Sequence, residues 1–174
     1  MKQNEIIDSI LYSYKNDLGK YFEQYRNHVY RVYNFAVPYA ILEREIKILS
    51  IAAAFHDLGI WTHSTFDYLQ PSIALAKKYS EANNLDPETI REIETIINNH
   101  HKLTRVEISK LAEIFRQADM VDLTWGLIRN RRKISDIKMM KNVFPNKGFH
   151  VTLTKLFFNN LLKHPLKPLP MFKL

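Results

Sequence analysis

Ile48-Leu49-Ser50-Ile51-Ala52-Ala53-Ala54-Phe55-His56-Asp57-Leu58-Gly59 ends an apolar run on an imidazole and a carboxylate. That density of Ile, Ala and Phe predicts a buried helix, since a helix apolar on every side has no face to offer water. His56 and Asp57 at its end then need partners that offset their desolvation. Such partners exist in the chain: His28 in the preceding helical segment, and Asp119 within Ala118-Asp119-Met120-Val121-Asp122. Two imidazoles and two carboxylates form a donor set suited to a divalent transition metal or to a magnesium-like ion.

Outward from this run the chain reads as helices. Tyr21, Phe22, Tyr25, Val29, Val32, Tyr33 and Ala36 keep a helical period around His28 and stop near Pro38, because proline disfavours the helical conformation of the residue before it. A helix from about Glu43 to Asp57 follows, stopped at Gly59. Pro71 is expected as the first residue of a helix through about Asn83. Asp86-Pro87-Glu88 supplies an N-cap, a first-turn proline and a dipole-favoured acid for another, with Ile90, Ile93, Ile96 and Ile97 inward and His100-His101 at its end. A helix from about Val106 to Trp125 places Asp119 and Asp122 on one face at i, i+3. Phe149 to Leu162 is a last amphipathic helix, and Pro165-Leu166-Lys167-Pro168-Leu169-Pro170 is expected as an extended strap, since its prolines exclude a helix.

Composition sets the scale. At 174 residues the chain suffices for one domain with a real core and is short for two. Only 4 glycines and 46% hydrophobic residues fit a helical protein with few tight turns. With 0 cysteines, disulfides and thiolate zinc sites are excluded. The N-terminus lacks a basic-then-apolar signal pattern, and no apolar run approaches the roughly 20 residues of a membrane span, so a cytoplasmic protein is expected.

The order His28-Val29-Tyr30-Arg31, Ala53-Ala54-Phe55-His56-Asp57-Leu58-Gly59, Asn99-His100-His101 and Ala118-Asp119, over about residues 26 to 125, resembles the HD superfamily of metal-dependent phosphohydrolases. The resemblance implies an all-α bundle of HD type, with one domain over 1–174, a motif-bearing core at 26–125 and a helical extension and tail at 133–174. It also implies that His28, His56, Asp57 and Asp119 converge on one divalent metal, whether Mn, Fe, Co, Ni, Zn or Mg. A small phosphorylated substrate or nucleotide would be hydrolysed through a metal-bound hydroxide, with Asp57 both binding the ion and orienting the water.

Further roles rest on position. Consecutive residues diverge around a helix, so His100 and His101 can face one pocket only at a fraying end, which is where they lie. One of the doublet is expected to bond the phosphate or act as general acid. Between Leu58 and Asn99 the only other histidine is His63, which argues for one ion per chain rather than two. Arg31, one turn from His28, would either clamp phosphate or pair with a carboxylate such as Asp122. Where nucleotidase-like members carry an acid after the His-Asp pair, this chain has Ile60 and Trp61. The stretch from Gly59 to Ser72, bearing Trp61, Phe66 and Tyr68, would wall a small apolar pocket or plug the helix ends.

Two other classes compete. The net charge of +7 and the cluster Arg129-Asn130-Arg131-Arg132-Lys133 suit phosphates of nucleotides or nucleic acid, as in a non-catalytic binding module; a solvated helix end is the plainer reading. A dinuclear iron oxygenase of HD type is the other, set against the shortage of histidines. His63, His150 and His164 are expected to be solvated or structural.

Overall fold

The computed structural model describes residues 3–166 and 169–172 of the chain, and its regular elements are helices. They run in order as α1 (Glu5–Ser13), α2 (Lys15–Leu18), a 3₁₀ turn (Gly19–Tyr21), α3 (Phe22–Ala36), a second 3₁₀ turn (Val37–Tyr39), α4 (Glu43–Phe55), α5 (Gly59–Thr62), α6 (Leu69–Ala82), α7 (Pro87–Asn99), α8 (Lys110–Leu123), α9 (Ile134–Val143) and α10 (Phe149–Lys163). No strand forms among the described residues, and the bundle is the all-α architecture expected. No helix among them is long and apolar enough to cross a membrane.

Helix α3 is the axis of the bundle. It lies along α8 on one side and α4 on the other, and from Asn27 to Ala36 every residue is buried. Four of those are polar, and each has a bond that offsets its burial. Asn27 Nδ2 donates to the Pro145 carbonyl at 2.7 Å, and Asn34 Nδ2 to the Tyr30 carbonyl at 2.9 Å. His28 and Arg31 both turn to Asp122.

Helix α4 is the buried helix its composition predicts. Ile48 to Phe55 are all buried between α1, α3 and α7, and the three alanines at 52 to 54 allow that crowding because they project little beyond the backbone. Glu45 accepts the amides of Ile41 and Leu42 at its start. At its end the orphan carbonyls are taken by side chains: Tyr25 Oη donates to Ala54 O at 2.9 Å, and His56 Nδ1 bonds Ala53 O at 2.8 Å.

Several boundaries differ from expectation for local reasons. Gly59 does not stop the chain but begins α5, and a Cβ there would lie 2.6 Å from the Tyr68 carbonyl, so glycine serves a close backbone approach. Pro71 sits in the first turn of α6 rather than at its first residue, which costs nothing because the first-turn amides have no intrahelical partner. Asp86 caps α7 as predicted, accepting from the Thr89 amide at 2.9 Å. Helix α8 begins at Lys110 rather than Val106, because Ser109 Oγ accepts the Ala112 amide at 2.9 Å while the Val106 amide bonds Glu113 in the preceding loop. Of the expected Pro165–Pro170 strap, Lys167 and Pro168 lie outside the described residues. Beyond them Met171 is buried against Ile60, Tyr68 and Leu69.

Candidate metal centre

Four helices deliver the candidate donors to one buried point. His28 comes from the middle of α3, His56 and Asp57 from the turn after α4, His100 and His101 from the end of α7, and Asp119 from α8. His28 Nε2 and His56 Nε2 are 2.9 Å apart. Asp57 Oδ2 lies 3.5 Å from the first and 3.6 Å from the second, and Asp119 Oδ1 lies 3.7 and 3.8 Å from them. Donors bound to one ion at about 2.1 Å stand roughly 3.0 to 3.4 Å from each other; His28, His56 and Asp57 are close to that spacing and form one metal-capable group, and Asp119 stands beside it at a slightly longer reach.

The histidine doublet belongs to the same cluster. His100 caps the end of α7 and His101 follows it, where the helix no longer fixes their divergence. His100 Nε2 is 3.3 Å from Asp57 Oδ1, and His101 Nδ1 is 3.6 Å from Asp119 Oδ2. Asp57, His100 and His101 thus form a second donor group that shares Asp57 with the group His28, His56 and Asp57.

Each of the four histidines is anchored through one ring nitrogen and turns the other inward. His28 Nδ1 bonds Asp122 Oδ2 at 2.7 Å, His56 Nδ1 the Ala53 carbonyl, His100 Nδ1 the Ile97 carbonyl at 2.7 Å, and His101 Nε2 the Tyr68 hydroxyl at 2.6 Å. Such outer bonds fix ring orientation and tautomer around a metal. On the inner side, Asp57 Oδ1, Asp119 Oδ2, His100 Nε2 and His101 Nδ1 are buried without any hydrogen bond. Four unsatisfied atoms facing one point would be costly in a purely structural core, and an ion would offset that cost, so the residues fit a metal.

Electrostatics divides the cluster. Burial would raise the Asp57 carboxyl, but the imidazoles of His56, His100 and His28 hold it well below the usual carboxylate range. Asp119 is pushed up to about 7, chiefly by burial. Burial drives His56 down to about 3, so it is neutral and its inner nitrogen carries a lone pair. Burial also disfavours charge on His28, but its bonds to Asp122 and Asp57 outweigh this and raise it to about 9. Burial and the neighbouring His100 lower His101.

The remaining candidates fall elsewhere. Arg31 is fully buried and committed: Nε and Nη2 donate to the two Asp122 oxygens at 2.5 and 2.9 Å, and Nη1 to the Phe144 carbonyl at 2.9 Å. Of the two arrangements open for it in the sequence, the carboxylate pair is the one formed. His63 and His164 are exposed, and His150 bonds the Asp122 carbonyl through Nε2 at 2.9 Å. In the basic cluster, Arg132 is buried and donates to the Phe35 carbonyl, so it is part of the fold rather than of a charged surface.

Asp122 and Tyr68, which hold His28 and His101, were not among the candidate residues. The i, i+3 spacing of Asp122 from Asp119 is the signal that could have found it. Tyr68 carried no such signal, because only the packing of the 59–72 stretch brings its hydroxyl to α7. A model of the family described as HD domain matches residues 25–124, which contain every one of these donors and anchors. No curated protein and no solved structure matched the chain.

Proposed function

The chain belongs to the HD domain family, and on that premise we propose that it is a metal-dependent phosphohydrolase acting on a small phosphorylated substrate. The observation that carries this reading is the inward turn of four outer-anchored histidines onto two carboxylates whose facing oxygens have no hydrogen bond. His28, His56, Asp57 and Asp119 would hold one divalent ion. When bound, that ion supplies a Lewis acid for the phosphoryl group and makes a bound water more acidic.

The protein's own groups divide the remaining work. Asp57, held ionised, presents Oδ1 as an acceptor that orients the attacking water, and His100 Nε2 stands 3.3 Å from that oxygen. Burial keeps the proton on Tyr68, whose hydroxyl meets His101 Nε2 at 2.6 Å; in the tautomer where the hydroxyl donates, the ring proton sits on Nδ1, facing the site. His101 in that tautomer donates to a phosphoryl oxygen or to the departing ester oxygen. Arg31 acts at one remove as a positioning residue, since its guanidinium fixes Asp122, which in turn fixes His28.

Elemental analysis of the purified protein, followed by a phosphate-release screen, tests the reading. One transition metal per chain and phosphate release, both lost in a His56→Ala, Asp57→Ala double variant, are expected. Stoichiometric metal retained by the double variant, or no metal after incubation with manganese, cobalt and zinc, would overturn it. The second donor group, Asp57 with His100 and His101, is the observation that favours a dinuclear iron oxygenase instead, and two irons per chain would carry that alternative.

A further inference from the structure

The histidine-aspartate cluster forms one end of a cavity of about 340 Å³, and most of the remaining wall is hydrocarbon. His28, Asp57, His101 and Asp119 line the polar end, while Ile60, Phe66, Leu153, Phe157, Met171 and Phe172 supply most of the remaining wall. Ile60, Tyr68, Leu69 and Met171, with Phe66, Leu153, Leu156 and Phe172 against them, make a small apolar cluster separate from the main core. These side chains come from α5, the loop after it, the start of α6, α10 and the tail, and they gather around the cavity rather than inside the bundle.

The two side-chain hydroxyls on this wall are each already bonded within the protein. Tyr68 bonds His101, and Thr154 Oγ1 donates to the His150 carbonyl at 2.8 Å. No lysine or arginine is among the described lining residues, and Arg31 is bound to Asp122. Ribose hydroxyls or the edge of a base would therefore find few partners here, and each one buried unpaired would cost about 1 to 3 kcal/mol. A second phosphate would meet no cation to pair with. An apolar body loses nothing in such a cavity and gains from its burial.

We propose that the substrate is a phosphomonoester of an apolar, ring-sized alcohol or phenol, with the single phosphate at the histidine-aspartate end and the hydrocarbon in the cavity. The proposal rests on the phosphohydrolase reading above. Water adds to phosphorus, the phosphorus to ester-oxygen bond breaks, and the departing oxygen takes up a proton, giving inorganic phosphate and the free alcohol. Phe172, stacked on the His101 ring at 5.2 Å, borders both ends and defines where phosphate gives way to hydrocarbon.

The test is calorimetric titration of the manganese-loaded full chain with methylphosphonate, (1-naphthyl)methylphosphonate and uridine 5′-monophosphate, beside turnover of 1-naphthyl phosphate. The naphthyl compound should bind on the order of a hundredfold more tightly than methylphosphonate, given the apolar area it buries. Leu153→Trp, which fills the cavity, should erase most of that advantage, and Phe157→Ser should reduce it by removing wall. Naphthyl binding within threefold of methylphosphonate, or weaker than the nucleotide, overturns the proposal. Tight naphthyl binding without turnover of naphthyl phosphate supports the apolar subsite and sinks the hydrolase reading, whereas turnover with nucleotides preferred does the reverse.

Discussion

Asp122 holds His28 by a 2.7 Å bond to Nδ1, and the same carboxylate is gripped through both oxygens by Arg31. The pair sits one helical turn behind the candidate metal ligands, where it sets the direction of the His28 ring without touching the cavity. A buried carboxylate between a cation and an imidazole makes His28 a stronger donor and fixes its inner nitrogen.

Asp122→Asn keeps the shape of this contact and removes its charge. Metal affinity should fall by about 10- to 100-fold, as expected for loss of an outer partner of a ligating histidine. Thermal stability should fall as well, because Arg31 is left as a buried cation without its counter-ion. Metal titration and thermal unfolding read the two effects, and unchanged affinity would mean that Asp122 does not orient the ligand.

Tyr68→Phe should separate metal binding from turnover. The hydroxyl bonds the outer nitrogen of His101 at 2.6 Å and is not itself one of the candidate donors, so elemental analysis should show the metal retained. The His101 tautomer loses its support, and kcat should drop by about tenfold with little change in KM, a loss of the size of one buried hydrogen bond. Loss of metal in parallel with kcat would instead make His101 a ligand.

Gly59→Ala should destabilise the protein by about 2 kcal/mol, the range seen when a packed site receives an extra methyl group. The added Cβ would press on the Tyr68 carbonyl at 2.6 Å and on Pro71 at 3.0 Å, both backbone-bound and unable to swing aside. Denaturant unfolding measures the loss, and a neutral result would show that the 68–72 segment moves freely.

Glu113 makes part of the fold's stability depend on pH. Burial raises its carboxyl, but bonds from Arg116, the Val106 amide and Gln117 outweigh this and hold it down to about 2. A depressed carboxylate stabilises the fold above its unfolded value, near 4.5, and that stability is lost as pH falls toward 2. Glu113→Gln should therefore cost about 1 kcal/mol at neutral pH once solvent screening is allowed for. The difference from wild type should shrink between about pH 4.5 and 2, and a constant difference across that window would contradict the assignment.

The helices were readable where local chemistry speaks for itself. Asp86-Pro87 marked the start of α7, and the apolar run before His56 marked a buried α4, because caps and burial patterns act within a few residues. Gly59 misled because a glycine stops a helix in one context and permits close packing in another, and only the neighbour at Tyr68 distinguishes them. Arg31 was ambiguous for a similar reason. A guanidinium near a candidate ligand serves phosphate or a carboxylate equally well until the position of Asp122 is known.

Residue identity and order alone determined that the chain is helical and named His28, His56, Asp57 and Asp119 as candidate donors, because helix formation and donor chemistry are properties of short patterns and of side-chain type. Tertiary structure decided what those patterns cannot carry. It chose which nitrogen of each histidine faces inward, placed Asp122 and Tyr68 behind the rings, and gathered Ile60, Phe157 and Met171 from distant parts of the chain into one apolar wall. Those outcomes depend on contacts between residues far apart in sequence, which packing brings within reach.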